Sequence, residues 1–336
     1  MPSVYSKPFD GIILDGTRRT YAGMLSAVDE CVLNVTTALK ANANMYSNSI
    51  IVISNDNGGW VGYGGLNTPY RGHKTTLWEG GIRGLGLIVA PGRLPVGMHY
   101  NGLFHVTDWL PTLVKAANGD VTRLDPKRFG DLDGIDQWAA LMQHNTAAPF
   151  PRTEILHNIE GEHGSSVAVI RSGQYKLLYR MQKGRGFDGW CDSCNNTAGC
   201  YMPKGSGPGA DKEPKTVQLG GQLCCYAGPP SDYNQSQSCK PMEDPGPRKP
   251  LPVDLVFDIE ADPSELHDLA PSRPDLVTLL HERLDHYNES NTPCCICTGS
   301  QRTEEMEEPP IDGFWDSFRD QSANPSADCK LQNEPP

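Results

Sequence analysis

Basic residues are scarce in this chain: 29 Lys and Arg stand against 41 Asp and Glu, leaving a net charge of -12 over 336 residues. That balance argues against a nucleic-acid or anionic-membrane surface, because both require clustered cations to replace counterions. Long apolar runs are missing as well, and none approaches the ~18 residues of a membrane-spanning helix. The start, "MPSVYSKPFDGIILDG", lacks the basic-then-apolar layout of a signal peptide. Phosphate-cradling patterns are absent, since there is no GxxxxGK[ST] and the glycines near Gly62 and Gly84 do not space as GxGxxG. "DLDGIDQW" from Asp131 is not an EF-hand, its glycine coming too early in the Asp-led loop. "GSGPG" from Gly205 has no strand before it and so makes no nucleophile elbow. What remains is an acidic, soluble protein.

Cysteine, by contrast, is plentiful. All but Cys31 of the eleven lie between Cys191 and Cys329, with CxxC at Cys191/Cys194, a doublet at Cys224-Cys225 and a cluster at Cys294, Cys295 and Cys297. Asn-x-Ser/Thr sequons stand at Asn34, Asn195, Asn234 and Asn288. Together they favour a disulfide framework made in an oxidising compartment, with glycosylation at those asparagines. Zinc is the rival reading, because Cys191/Cys194 and Cys294/Cys297 have ligand-pair spacing, but no His-x-x-x-His completes the pattern. An odd cysteine count leaves at least one thiol outside any intramolecular pairing.

The length suggests two domains, since single cores stop growing near ~250–300 residues. Within residues 20–40, Tyr21, Met24, Leu25, Val28, Val32, Val35 and Leu39 recur at three- and four-residue steps, predicting an amphipathic helix with Asn34 on its opposite face. "NSIIVISN" and "GLGLIVAPG" are continuous apolar runs that predict strands buried on both faces. "TDWLPTLVKAA" follows as a helix with Pro111 in its first turn. This order is an α/β layout. Beyond it, "SSVAVIRSGQYKLLYR" reads as a hairpin turning at Ser172-Gly173, and "VDLVFDIEADPSELHDLA" as an alternating strand and an Asp-Pro turn. A last helix is expected from near Ser272, with Leu276, Leu280, Leu284 and Tyr287 on one face. Residues 183–252 form a Cys/Gly/Pro-rich insertion, and residues 291–336 an acidic, Pro-rich tail.

The chemistry concentrates in "NDNGGWVGYGGLNTPYRGHKTTLWEGG", residues 55–81. Asp56 and Asn57 follow a strand directly, where open α/β sheets bind ligands. Both offer hard oxygens suited to Ca²⁺ or Mg²⁺. The alternative is an Asx turn that merely closes the strand, with Gly58-Gly59 supplying positive φ. Lys74 could bring an ammonium to an anion held at such a metal, or belong to a solvated basic patch. Arg71 could act likewise, or anchor the loop on a carboxylate such as Glu79. His105, His157, His163 and His267 acquire no role from the sequence.

These stretches, together with "YAGMLSAVDECVLNVTTALK" and the string R-G-x-K-x-x-x-x-E-G-G-x-R at residues 71–83, resemble the sulfatase family, most closely its arylsulfatase B type, which removes 4-sulfate from N-acetylgalactosamine. The resemblance covers residues 1–287 apart from the cysteine-rich span. It implies an alkaline-phosphatase-like α/β fold, a mixed sheet between helices that is incomplete here, followed by a small α+β domain with an antiparallel sheet. Boundaries at 1–160, 161–290 and 291–336 follow. It also implies Ca²⁺ held in part by Asp56 and Asn57, with Lys74 contacting the sulfate of a sulfated glycan or aryl sulfate. A lysosomal or secreted parent protein is implied too. Sulfatases use a formylglycine made from the cysteine of a Cys-x-Pro/Ala-x-Arg motif, and no cysteine here has that context. The expectation is a C-terminal part of a sulfatase that lacks the nucleophile and is inactive alone. A non-catalytic form that binds sulfated glycans is the alternative.

Overall fold

A computed structural model describes residues 2–13, 16–123, 132–143, 150–160, 167–182, 189–193, 223–226 and 252–289. His163, the sequons at Asn195 and Asn234, most of the cysteine-rich insertion and the acidic tail lie outside the described residues.

The chain begins with a short helix α1 (Ser3–Ser6) and the long α2 (Gly16–Ala41), followed by α3 (Ala43–Ser47). The 3.6-residue period did produce a helix over 20–40. Its apolar stripe is nevertheless open in the described structure: Gly23 is the one buried residue of α2, while Met24, Leu25, Val28 and Val35 are exposed. Asn34 is exposed too, so solvent reaches both faces rather than the sequon face alone. Cys31, also exposed, is a free thiol.

Strand β1 (Ile51–Ser54) pairs with β2 (Gly86–Val89) in antiparallel register, Ile51 opposite Val89 and Ser54 opposite Gly86. The expectation of strands buried on both faces is corrected here. Residues 51–53 are half-buried, and Leu87 and Val89 are exposed. A continuous apolar run is buried twice only where elements cover both faces. Among the described residues one side is covered, with Ile50 and Ile88 packing on Ala90, Ala116 and Trp138. Among the described residues β1 and β2 are the strands of this sheet, and they pair antiparallel.

Helices α4 (Glu79–Ile82), α5 (Trp109–Ala116) and α6 (Trp138–Met142) complete this part. Pro111 sits in the first turn of α5 as its missing N–H requires. Asp108, ahead of α5, is fully buried and accepts from the His105 and Ile135 N–H groups and from Arg152. Burial opposes its ionisation, but the hydrogen bonds from Arg152, Ile135 and His105 together with the Arg152 charge outweigh that and hold the carboxyl below its ordinary range.

The second part is a four-stranded antiparallel sheet in the order β3-β4-β5-β8, from β3 (Glu154–Glu160), β4 (Val167–Ser172), β5 (Tyr175–Gln182) and β8 (Pro252–Asp258). The expected hairpin is β4–β5, turning through Gly173 at a φ of 55°. A separate pair, β6 (Trp190–Ser193) and β7 (Leu223–Tyr226), sets Cys191 across from Cys225 in backbone register. Helix α7 (Pro274–Glu289) buries Leu276, Leu280 and Leu284 against Ala168, Ile170, Leu177 and Val256. Because side chains alternate along a strand, Val169, Leu178 and Phe257 project from the opposite face, where they meet Trp78. The loop before α4 therefore covers the back of the C-terminal sheet, which decides the geometry of the site.

Candidate functional site

Asp56 and Asn57 emerge at the end of β1. Asp56 Oδ1 accepts the Asn57 N–H at 2.8 Å, and Asn57 Nδ2 donates to the Gly58 carbonyl at 2.9 Å. These bonds are turn-forming, yet they leave the second Asp56 oxygen and the Asn57 carbonyl oxygen as acceptors. The turn and ligand readings are thus compatible. The next residue is packed backbone to backbone. Gly58 N–H donates to Gly81 O at 2.9 Å, and a Cβ on Gly58 would stand 1.7 Å from Gly80 O. Gly58 has no positive φ and is needed for its close approach to Gly80 and Gly81, while Gly59 approaches the Gly65 backbone instead.

Lys74 is brought to the same place by a short ladder. Asn67 accepts from Gly59 N–H at 2.8 Å and donates to Gly59 O at 2.9 Å and Gly72 O at 3.2 Å, while Lys74 N–H donates to Gly59 O at 3.3 Å. The half-buried Lys74 is thereby held two residues beyond the Asp56–Asn57 turn. Sequence reasoning missed Asn67. An amide side chain carries both donor and acceptor, so an asparagine inside a glycine-rich loop was the available signal. His73 next to Lys74 is fully buried, and burial pushes its ring down to about 4.

Glu79, one carboxylate the sequence offered to Arg71, has its contacts with other cations. Its Oε1 accepts from Lys176 of β5 at 3.0 Å, and its Oε2 lies 3.5 Å from Arg83. Arg71 instead lays its guanidinium over Trp78 and Trp190, 3.7 and 4.6 Å from their ring centres, and donates to Glu265 O at 3.3 Å. Lys176 also reaches Glu265 Oε1 at 2.8 Å, and Glu265 Oε2 accepts the Glu79 N–H at 2.8 Å. One ammonium thus serves two buried carboxylates. Neither Lys176 nor Glu265 was singled out from sequence.

Asp56 and Asn57 have the chemistry for a hard cation, but Ca²⁺ wants six to eight oxygens. Among the described residues no group of three His, Cys, Asp or Glu could hold a metal. The donor type fits Ca²⁺, and Asp56 and Asn57 supply only part of the oxygens the ion takes.

His105 caps the turn before α5, and His267 lies 3.5 Å from Asp262 at an exposed position. His157 is half-buried beside the Glu79 cluster, with its Nε2 shut off from solvent; desolvation, then the Lys176 charge, pushes its ring down to about 3. A depressed folded-state value means that the unfolded chain binds the proton first, so stability present above about pH 6.5 is lost as pH falls toward 3. A His157→Gln chain is expected to lose less stability than the native chain between about pH 7 and about pH 4. Urea melts across that range check this, and equal slopes would refute it.

The strand-end turn at Asp56 and Asn57 and the Lys74 backbone thus meet at Gly59. Residues 5–119 match the sequence model of the family described as Sulfatase. Mouse Arylsulfatase J is 33% identical over 297 residues, covering 84% of this chain and 42% of that protein. Dog Arylsulfatase G is 28% identical over 51% of this chain and 33% of its own length. Dog N-acetylgalactosamine-6-sulfatase is 27% identical over 53% and 32%. The chain therefore carries a sulfatase-family segment with arylsulfatase and N-acetylgalactosamine-6-sulfatase homologues, and it spans less than half the length of each. The crystal structure of Ps i-CgsB in complex with k-i-k-neocarrahexaose superposes with a TM-score of 0.57 at 24% identity, over 87% of this chain and 47% of the other. The fold is the alkaline-phosphatase-like α/β fold of sulfatases.

Proposed function

We propose that this chain supplies the metal turn and one anion contact of a sulfuric ester hydrolase acting on sulfated glycans, N-acetylgalactosamine 4-sulfate among them. The observation that carries this reading is the ladder that holds Lys74 on Gly59, directly after Asp56 and Asn57. Lys74 would neutralise a sulfate oxygen as a point charge. Asp56 and Asn57 would hold Ca²⁺, which when bound supplies Lewis-acid polarisation of the ester. The relatives named arylsulfatase and N-acetylgalactosamine-6-sulfatase support the substrate class. The exposed sequon at Asn34 and the cysteine content support a lysosomal or secreted setting. No described helix is long and apolar enough to cross a membrane.

No cysteine of the 336 residues stands in a Cys-x-Pro/Ala-x-Arg context. The chain by itself is therefore expected to bind N-acetylgalactosamine 4-sulfate weakly and to leave 4-nitrocatechol sulfate unhydrolysed. Lys74→Ala should weaken that binding about tenfold, the worth of one charge-assisted contact. Titration calorimetry and a colorimetric assay provide the readings. Clear turnover would show that the nucleophile is present after all, and affinity indifferent to Lys74→Ala would remove the anion role. Binding with no turnover, even when a formylglycine-bearing sulfatase segment is supplied, would favour the glycan-binding alternative.

A further inference from the structure

The segment that carries Lys74 is tied at both ends to a single residue far along the chain. Glu265 O accepts from Arg71 at 3.3 Å, and Glu265 Oε2 accepts from the Glu79 N–H at 2.8 Å. Residues 71–79 thus form a loop whose two feet stand on one side chain and its own carbonyl. Glu265 adopts a φ of 54°, a left-handed conformation that costs a non-glycine residue energy. Glycine would relieve that cost but would remove the carboxylate. The residue is fully buried, and its remaining oxygen is occupied by Lys176, itself fully buried on β5. Adjacent ties run in the same direction: Gly72 N–H donates to Gly189 O at 2.8 Å, and Trp190 Nε1 donates to Ser264 O at 2.7 Å.

A buried ion cluster is weak support for stability, because apolar residues of similar volume often serve as well. What such a cluster does supply is a fixed register between the parts it joins. The parts joined here are the C-terminal sheet and the Lys74 loop.

We propose that Glu265 is a positioning residue for Lys74, holding both feet of its loop so that Lys74 keeps its backbone tie to Gly59 beside the Asp56–Asn57 turn, with Lys176 as the cation that keeps the Glu265 carboxylate in place. The C-terminal unit is then part of the anion site's geometry without contacting the anion. This inference rests on the reading of Lys74 as a sulfate contact.

The test uses the full chain, N-acetylgalactosamine 4-sulfate as probe, and Glu265→Gln alone and combined with Lys74→Ala. Amide exchange is read by mass spectrometry. In Glu265→Gln, exchange across residues 72–80 should rise about tenfold, as expected from one lost charge-assisted hydrogen bond, while α7 is unchanged. Probe affinity should fall in the native background and should not fall further in Lys74→Ala, because Glu265 acts through that lysine. Additive losses, or unchanged exchange across 72–80, would overturn the proposal. If the native chain does not bind the probe, the sulfate reading fails and the exchange measurement alone decides the clamp. Should the glutamine variant not fold, Glu265→Asp retains the charge, withdraws it by one methylene and gives the same readings.

Discussion

Replacing Lys176 with methionine should lower folding stability by about 3–5 kcal/mol, the cost of removing one partner from a buried ion cluster. The side chains are similar in length, so packing is nearly kept and the charge is what disappears. Left behind are Glu79 and Glu265, 3% and 0% exposed, with no ammonium between them. In the native chain burial acts against both carboxyls; Lys176 outweighs it at Glu79, which is held low, while burial prevails at Glu265, which is pushed up. Without Lys176 one of the two must take a proton. A carboxyl raised in the folded state binds protons more tightly than the unfolded chain does, so the variant regains stability as pH falls and loses it as pH rises. Urea denaturation at about pH 5 and about pH 8 should therefore show a smaller deficit at the lower value. A deficit below about 1 kcal/mol, or one independent of pH, would mean that the cluster is not charged as described.

Gly58→Ala should be the most damaging single methyl in the site. The new Cβ would stand 1.7 Å from Gly80 O, 2.8 Å from its carbon and 3.2 Å from Gly81 Cα, all backbone atoms with no rotamer to yield. The opposing side is equally tight, since a Cβ on Gly81 would lie 2.2 Å from Thr76 O. Separation of the two segments is the remaining response, and it breaks the Gly58–Gly81 hydrogen bond. Overpacking of this severity costs about 3 kcal/mol, the upper end of the usual range. The same displacement carries Asp56 and Asn57 away from Lys74, so affinity for N-acetylgalactosamine 4-sulfate should be lost more completely than with Lys74→Ala. Calorimetry and thermal melts on the same sample test both parts. A fully stable Gly58→Ala chain with native affinity would contradict the packing.

Local periodicity was enough for the C-terminal unit. "SSVAVIRSGQYKLLYR" turned into β4 and β5, and Leu276, Leu280 and Leu284 became the buried face of α7. These segments bury their apolar faces against one another, so their pattern and their environment agree. The first part was less legible. Apolar runs in β1, β2 and α2 state that a face is suited to burial, but not what covers it, and in the described structure much of it is open.

For the site, the sequence alone determined its ingredients: hard oxygens at a strand end and a lysine after a glycine-rich loop. It could not assign Glu79 its partner. Lys176 lies 97 residues further along, and within "QYKLLYR" a lysine reads as the solvent side of an alternating strand. It is the inner side here because Trp78 and Glu79 cover that face of the sheet. Alternation fixes which residues share a face, whereas only the packing of distant segments decides whether that face meets water or another part of the chain.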